Sequence, residues 1–85
     1  MVFLAITPGG LKDALREAAS SGTAVWCSAD AVSEEDFAVL KGKGLTRFTY
    51  VLEARDPLVL ARALDTIDQH HPSEVVWVEA APAPT

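Results

Sequence analysis

Cysteine is almost absent from this chain of 85 residues, because Cys27 is the only one. A single cysteine excludes an internal disulfide and a metal site built from several cysteines. The chain also lacks a basic leader with a hydrophobic signal core, since its first apolar segment is broken by Thr-Pro-Gly-Gly at residues 7–10. We therefore expect a protein of the reducing cytoplasm.

Positive charge and long hydrophobic runs are also scarce. The 7 Lys and Arg residues stand against 12 Asp and Glu residues, which gives a formal net charge of −5. Nucleic-acid binding needs clustered Lys and Arg, so a nucleic-acid partner is not expected. No run approaches the roughly 18 apolar residues of a membrane span, so a membrane partner is not expected either. The hydrophobic fraction of 49% is too high for a disordered chain.

Apolar segments alternate with segments of helical spacing along the chain. Strands are predicted at residues 2–6, 23–28, 45–53 and 74–79. Helices are predicted between the cap Thr7 and Gly22, over 34–41 behind the cap Ser33, and from Pro57 behind the cap Asp56 to the stop at His70-His71-Pro72. The predicted buried stripe of the last helix consists of Leu58, Ala61, Leu64 and Ile67.

The resulting order, β-α-β-α-β-α-β, predicts one small α/β domain over residues 1–80 and a frayed tail over 81–85. A four-stranded, mostly parallel sheet with helices on both faces fits this alternation best. The alternative is a ferredoxin-like α+β fold in which helix 34–41 decorates a long connection. The half-polar third strand fits that alternative better. The aromatic residues expected in the core are Phe3, Trp26, Phe48 and Trp77.

Ligands of open parallel sheets bind at the carboxyl ends of the strands, and the first such end is the strongest candidate here. At this strand-to-helix turn, Thr7 precedes Gly9 and Gly10, whose amides can hold a phosphate, a nucleotide or a carboxylate, and Lys12 adds a positive charge. The turn matches neither Gly-x-Gly-x-x-Gly nor the phosphate loop, and Pro-Gly-Gly is more often a tight turn.

Further charged residues follow the second and third strands. Asp30 and Glu53 are interpreted as a potential carboxylate pair for Mg²⁺ or acid–base work, and Arg55 as a potential clamp for an anion. No spacing rule joins them, and loop charges are mostly solvated. Asp30 and Arg55 are therefore kept only as minor ligand-binding residues. The sequence predicts no catalytic residue, no metal site and no cofactor.

One basic cluster consists of Lys41, Lys43 and Arg47. We place it at the start of the third strand, on the opposite rim of the sheet from the glycine turn, and interpret it as a solvated turn. If Arg47, Thr49 and Glu53 face water, this strand is an edge that is guarded against uncontrolled pairing.

The remaining reactive side chains are interpreted as structural. Cys27 has no second cysteine nearby and no histidine close in sequence to activate it. His70 and His71 are adjacent, so they do not form the i, i+4 pair of a helical metal site.

The function expected from these features is protein binding. We predict a non-catalytic accessory or regulatory domain that binds another protein or a second copy of itself, since a core this small leaves a narrow margin of stability. The alternative is a small-anion-binding domain with its site at the first strand-to-helix turn.

Overall fold

A computed structural model describes residues 1–40, 44–52 and 56–79. Its elements, in chain order, are β1 (Val2–Ala5), α1 (Pro8–Ser21), β2 (Ala24–Cys27), α2 (Glu34–Leu40), β3 (Leu45–Arg47), α3 (Pro57–His70) and β4 (Val76–Val78). The strands form one sheet in the order β3-β2-β1-β4, and every neighbouring pair is parallel. The predicted parallel α/β fold is therefore confirmed. The ferredoxin-like alternative is wrong, because that fold needs antiparallel neighbours.

The strand order places the helices on two faces. The chain moves from β1 through β2 to β3 and then crosses to β4, on the other side of β1. With right-handed crossovers, α1 and α2 cover one face and α3 covers the other. The core on the α1 and α2 face contains Ala5, Leu11, Ala18, Val25, Cys27, Ala31 and Leu45. The core on the α3 face contains Val2, Leu4, Ile6, Trp26, Phe48, Leu52, Ala63 and Ile67.

The helices begin at their predicted caps. The Thr7 side chain accepts a hydrogen bond from the Gly10 amide, and the Asp56 side chain accepts from two amides in the first turn of α3. The Ser33 hydroxyl accepts from an amide in the first turn of α2. At Gly22 the chain has a φ of 71°, a left-handed conformation that glycine adopts freely and that ends α1. In the described ranges, no helix has both the length and the apolar character needed to cross a membrane.

The third strand is shorter than predicted. The alternation over residues 45–53 predicts one long strand, but β3 has only three residues. Beyond it the chain crosses the carboxyl end of β2: the Ala29 amide donates to the Tyr50 carbonyl at 3.1 Å, and the Leu52 amide donates to the Ser28 hydroxyl at 2.8 Å. Apolar side chains of this segment enter the core beneath α3. A strand-like alternation therefore arises without strand pairing.

The buried stripe of α3 also differs in part from the prediction. Leu58 is 77% exposed and Ala61 is exposed, whereas Ile67 is fully buried. Nine helical steps of about 100° turn Leu58 to the side of the helix opposite Ile67. Val59 and Leu60 pack against the core in the first turns of α3 instead.

One of the four aromatic residues expected in the core lies at the surface. Trp26 and Phe48 are buried and Phe3 is half-buried, but Trp77 is 59% exposed. The prediction is wrong for Trp77 because β4 is an edge strand. Trp77 is paired with Phe3 in the parallel register and so faces the same side of the sheet as α1. On that side α1 packs over β1 and β2, and it leaves β4 largely uncovered.

Candidate functional site

The candidate site lies at the carboxyl edge of the sheet, where the strand order reverses. Parallel α/β folds bind ligands at such a point. In this fold the reversal is between β1 and β4, because the chain leaves β1 toward β2 but reaches β4 on the opposite side. Thr7 follows β1 and Glu79 follows β4. These two residues form the centre of the site.

The carboxylate of Glu79 is held by three hydrogen bonds. Its Oε1 atom accepts from the backbone amides of Ile6 at 2.6 Å and Thr7 at 2.8 Å. Its Oε2 atom accepts from the Thr7 hydroxyl at 2.5 Å. Hydrogen bonds to an ionised acceptor are short and stronger than neutral ones. An internal carboxylate therefore occupies the amides of Ile6 and Thr7, just before the predicted anion-binding amides of Gly9 and Gly10.

The surroundings of Glu79 favour its ionised form. Burial by itself would raise the pKa of this carboxyl, but the hydrogen bonds from Thr7 and Ile6 outweigh it and hold the pKa below its ordinary value of 4.5. The position next to the first turn of α1 adds a favourable interaction with the helix dipole. Glu79 is thus a carboxylate at neutral pH.

Thr7 and Gly10 are the other two residues that shape the binding of the Glu79 carboxylate. The Thr7 hydroxyl donates to Glu79 and accepts from the Gly10 amide at 3.0 Å. A Cβ atom at Gly10 would overlap the Glu79 carboxylate, so only glycine leaves room for it. Gly9 is exposed, and nothing lies within 4 Å of the position its Cβ would take. Of the two glycines predicted to bind an anion, Gly10 is the one that makes space for Glu79.

The other predicted ligand-binding residues lie apart from this centre. Lys12 is exposed and borders a hollow between α1 and Leu40 of α2, on a different side of α1 from Glu79. Asp30 is exposed at the end of β2, two strands from β4. Arg55 and Glu53 lie outside the described residues. The structure therefore places Thr7 and Gly10 beside Glu79 and leaves Lys12 and Asp30 elsewhere.

Ser28 is a fully buried polar residue behind Asp30. Its hydroxyl donates to the Asp30 carboxylate at 2.5 Å and accepts from the Leu52 amide at 2.8 Å. Buried polar groups are stable when they are hydrogen-bonded in this way. The Ser28 hydroxyl therefore links residues 48–52 to the end of β2.

Arg47 reinforces the same loop. Because β3 is short, Arg47 is its last residue and lies at the carboxyl edge, so the predicted position on the opposite rim is wrong for it. Its guanidinium donates to the Ala29 carbonyl at 2.7 Å and the Val32 carbonyl at 3.1 Å, and its side chain is 18% exposed rather than facing water. Lys41 and Lys43 lie outside the described residues. The arginine binds backbone carbonyls of the β2–α2 loop.

Cys27 is fully buried at the end of β2. Burial raises the pKa of its thiol to about 11, and the positive charge of Arg47 offsets only part of that rise. The neutral thiol is therefore the dominant form at physiological pH, as expected of a structural cysteine.

The two histidines pack at the other end of the sheet. Their ring centroids lie 5.3 Å (His70) and 6.1 Å (His71) from the Trp26 ring. His71 Nδ1 lies 3.0 Å from Glu74 Oε2, and Glu74 Oε1 accepts from the amino group of Met1 at 2.6 Å. In the part of the chain that the structure describes, no three His, Cys, Asp or Glu side chains are grouped as metal ligands would be.

An open groove runs between α1 and β4, beside Glu79. Its volume is about 270 Å³, just under the roughly 300–1,000 Å³ of typical small-molecule pockets. Its apolar lining includes Phe3, Ala14, Trp77 and Val78, and the acidic residues Asp13 and Glu17 also border it. The groove is therefore apolar along β4 and acidic along α1.

Sequence reasoning missed the roles of two residues here. The sequence identifies Glu79 only as the end of the fourth strand, because its contact with Thr7 depends on β4 lying next to β1. The uniformly apolar segment around Trp77 predicts a core position, although this residue is exposed. No local pattern in the sequence specifies that β4 lies next to β1, so no sequence signal points to either role.

Comparisons with known proteins add no family to this picture. No protein family and no curated protein matches the sequence, and no solved structure matches the fold.

Proposed function

We propose that this chain is a non-catalytic cytoplasmic domain that acts by binding protein, and that its partner is a second copy of itself. The observation that carries the proposal is the exposed edge strand β4, where Trp77 is 59% exposed.

The polar side chains at the carboxyl edge support a structural role for that edge. The Glu79 carboxylate is bonded to the turn before α1, and the Arg47 guanidinium is bonded to loop carbonyls. The Ser28 hydroxyl is bonded at both its donor and its acceptor side. Each of these groups is engaged with its own chain, which favours a binding function over a catalytic one.

The surface of β4 has the composition of a protein interface. Val75 is 64% exposed and Val78 is 38% exposed on either side of Trp77. Tryptophan is enriched at interface hot spots because it has a large apolar surface. An aromatic side chain buries roughly 150–250 Å², so the exposed part of Trp77 amounts to roughly 90–150 Å². Covering that area corresponds to roughly 2–4 kcal/mol of apolar transfer free energy, before the entropic and desolvation costs of association are subtracted.

The two edges of the sheet differ in a way that favours β4. At the β3 edge, Arg47 lies 4.0 Å from Glu34, so charged side chains flank that strand. Charged residues are a common protection of an edge strand against pairing. Residues 75–78 read Val-Val-Trp-Val and carry no charge. A partner is therefore better accommodated at the β4 edge.

The anion-binding alternative stays a prediction. An external phosphate or carboxylate at the Gly9 and Gly10 amides would lie close to the ionised Glu79 carboxylate, which accepts from the Ile6 and Thr7 amides and would repel it. Backbone-amide spectra recorded with inorganic phosphate would detect binding as shifts of the Gly9 and Gly10 signals. We favour protein binding because it needs no second anion beside Glu79.

Sedimentation equilibrium over a wide range of protein concentration tests the proposal. We expect a reversible monomer–dimer equilibrium that Trp77→Ala weakens at least tenfold. Val51→Ala, at another exposed apolar residue (47%), is the matched control and should leave the equilibrium unchanged. A strict monomer at millimolar concentration would contradict self-association.

A further inference from the structure

The hydrogen-bonding pattern of β4 defines which of its backbone groups point away from the sheet. The Val2 amide donates to the Val75 carbonyl at 2.8 Å, and the Glu79 amide donates to the Leu4 carbonyl at 2.9 Å. In a parallel ladder, alternate residues bond to the same neighbour, so the groups of Trp77 face β1 as well. The N–H and C=O groups of Val76 and Val78 therefore point outward from the edge.

We propose that two copies of the chain pair antiparallel along β4, with a two-fold axis at Trp77. This inference rests on the self-association proposed above and specifies its geometry. In this register Val76 of one copy exchanges both backbone hydrogen bonds with Val78 of the other copy. Val78 of the first copy does the same with Val76 of the second. Trp77 lies opposite Trp77 of the second copy as a non-hydrogen-bonded pair, whose Cα atoms are about 4.5 Å apart.

The strand itself argues for a second copy as the occupant. A two-fold contact needs a self-complementary surface, and the outward groups of Val76 and Val78 are self-complementary about Trp77. The chain as a whole carries a charge of −5, which repels another copy, but residues 75–78 are uncharged. Two copies can therefore approach along residues 75–78 with less repulsion than along a charged strand, while Asp13 and Glu17 of each α1 flank the contact on one face.

The flanking carboxylates select the antiparallel direction. Glu74 directly precedes residues 75–78, and Glu79 directly follows them. Parallel in-register pairing would place each glutamate beside its counterpart, and like charges directly opposite are destabilising. In the antiparallel register the two Glu79 residues are about four residues apart along the strands, or about 13 Å. Glu79 is also bonded to Thr7 within its own chain.

The same two-fold axis gives Trp77 a partner. Antiparallel extension of the sheet keeps α1 of both copies on one face, because the axis is perpendicular to the sheet. Each Trp77 side chain then lies at the open groove next to Phe3 and Ala14, and the two indole rings cover each other. Aromatic pairs at this spacing adopt offset or edge-to-face contacts. Pairing thus removes the most exposed aromatic side chain from water.

Amide hydrogen exchange on the wild-type chain tests the register. Between a dilute and a millimolar sample, we expect the amides of Val76 and Val78 to slow at least tenfold. The Trp77 amide, which faces β1, should not change, and neither should Leu45 at the opposite edge. Slowing at Leu45 instead would overturn the proposal by moving the contact to β3.

Cysteine cross-linking tests the position of the axis. Trp77→Cys and Val75→Cys, at two residues of similar exposure, 59% and 64%, are compared in a Cys27→Ala background. Trp77→Cys should form the disulfide dimer faster, because a non-hydrogen-bonded pair lies within disulfide reach. The two Val75 residues are about 13 Å apart and should not be bridged. Because loss of the Trp77 ring also weakens the dimer, the two rates are compared at protein concentrations that give equal dimer fractions, and equal rates there would overturn the register.

The outcomes separate this inference from the proposed function. A wild-type dimer in sedimentation whose Val76 and Val78 amides exchange as fast as in the monomer would overturn the β4 pairing and leave self-association standing. A monomer at every concentration would overturn both, and β4 would then be open to a different protein. A dimer with protected Val76 and Val78 amides and preferential cross-linking at Trp77→Cys supports both.

Discussion

The carboxylate of Glu79 lies 2.8 Å from the backbone amide of Thr7 and joins two segments that are 72 residues apart in the sequence. This contact bonds the end of β4 to the turn between β1 and α1. Because β4 is only three residues long, its backbone ladder to β1 is short. The carboxylate therefore supplies a substantial part of the attachment of the last strand.

Replacing this carboxylate should destabilise the fold. We expect Glu79→Gln to lower the free energy of unfolding by about 1–3 kcal/mol, because the amide lacks the charge and the second acceptor oxygen that binds the Thr7 hydroxyl. Urea unfolding monitored by circular dichroism measures the change. Glu17→Gln, at an exposed residue of α1, is the control and should stay within about 0.5 kcal/mol of wild type. Equal losses in the two variants would contradict the role of Glu79.

The Glu79 contact should also contribute to the acid stability of the protein. Its pKa is lowered on folding, so its stabilising effect is complete above the ordinary value of 4.5 and is lost as the pH falls through the folded-state pKa. The stability gap between wild type and Glu79→Gln should be constant above about pH 6 and shrink below about pH 4.5.

A second carboxyl makes the comparison with the variant necessary. The pKa of Glu74 is also lowered, mainly by its hydrogen bond with the amino group of Met1. Glu74 is present in both proteins, as are Asp13 and Glu17 beside the groove, so the difference between the proteins isolates Glu79. Urea unfolding at a series of pH values gives the gap. A gap that does not change below about pH 4 would refute the assignment.

Two adjacent glycines should respond oppositely to alanine. Gly9→Ala adds a Cβ in open space within α1 and should stabilise the protein by about 0.5–1 kcal/mol, since alanine is the better helix former. Gly10→Ala should destabilise it, because the new Cβ overlaps the Glu79 carboxylate. Thermal unfolding of the two variants provides the comparison.

A double-mutant cycle identifies the cause of the Gly10 effect. In a Glu79→Ala background the overlap is removed, and Gly10→Ala should become neutral or stabilising. If Gly10→Ala costs the same in both backgrounds, the close approach of Glu79 is not the reason that glycine is needed there.

The parts of this fold that could be predicted from sequence depend on neighbouring residues. Thr7, Ser33 and Asp56 cap amides no more than three positions away, so their roles follow from local spacing. The alternation of apolar strands with helices likewise predicts a parallel sheet. The period of an apolar pattern does not say which strands are neighbours. The Glu79–Thr7 contact and the exposure of Trp77 both follow from that order, so neither could be read from the sequence.

The end of β3 illustrates a second limit. Residues 45–53 alternate as a half-buried strand does, yet only the first three pair with β2. The rest of the described segment is held by the Ala29 amide on the Tyr50 carbonyl and by the Leu52 amide on the Ser28 hydroxyl. Isolated long-range bonds such as the one to Ser28 have no periodic signature, so pattern analysis extends the strand too far.

That bond makes Ser28 a sensitive residue for stability. Ser28→Ala removes the acceptor of the Leu52 amide and leaves a buried donor without a partner, which should cost about 1–3 kcal/mol. Guanidinium unfolding measures the loss. Ser20→Ala, at an exposed helical serine, serves as control and should cost less than about 0.5 kcal/mol. A Ser28→Ala protein as stable as the control would show that apolar packing and the Ala29–Tyr50 backbone bond are enough to hold residues 48–52.

The reactivity of Cys27 distinguishes a structural thiol from a chemical one. With its pKa raised to about 11 by burial, roughly one thiol in a thousand is ionised at about pH 8. The side chain is also inaccessible in the folded protein. We expect iodoacetamide, with mass spectrometry as the readout, to modify the folded chain at least about 100-fold more slowly than the chain in urea. Comparable rates in the two conditions would mean that the thiol is activated and exposed in the native state, and would reopen thiol chemistry at the end of β2.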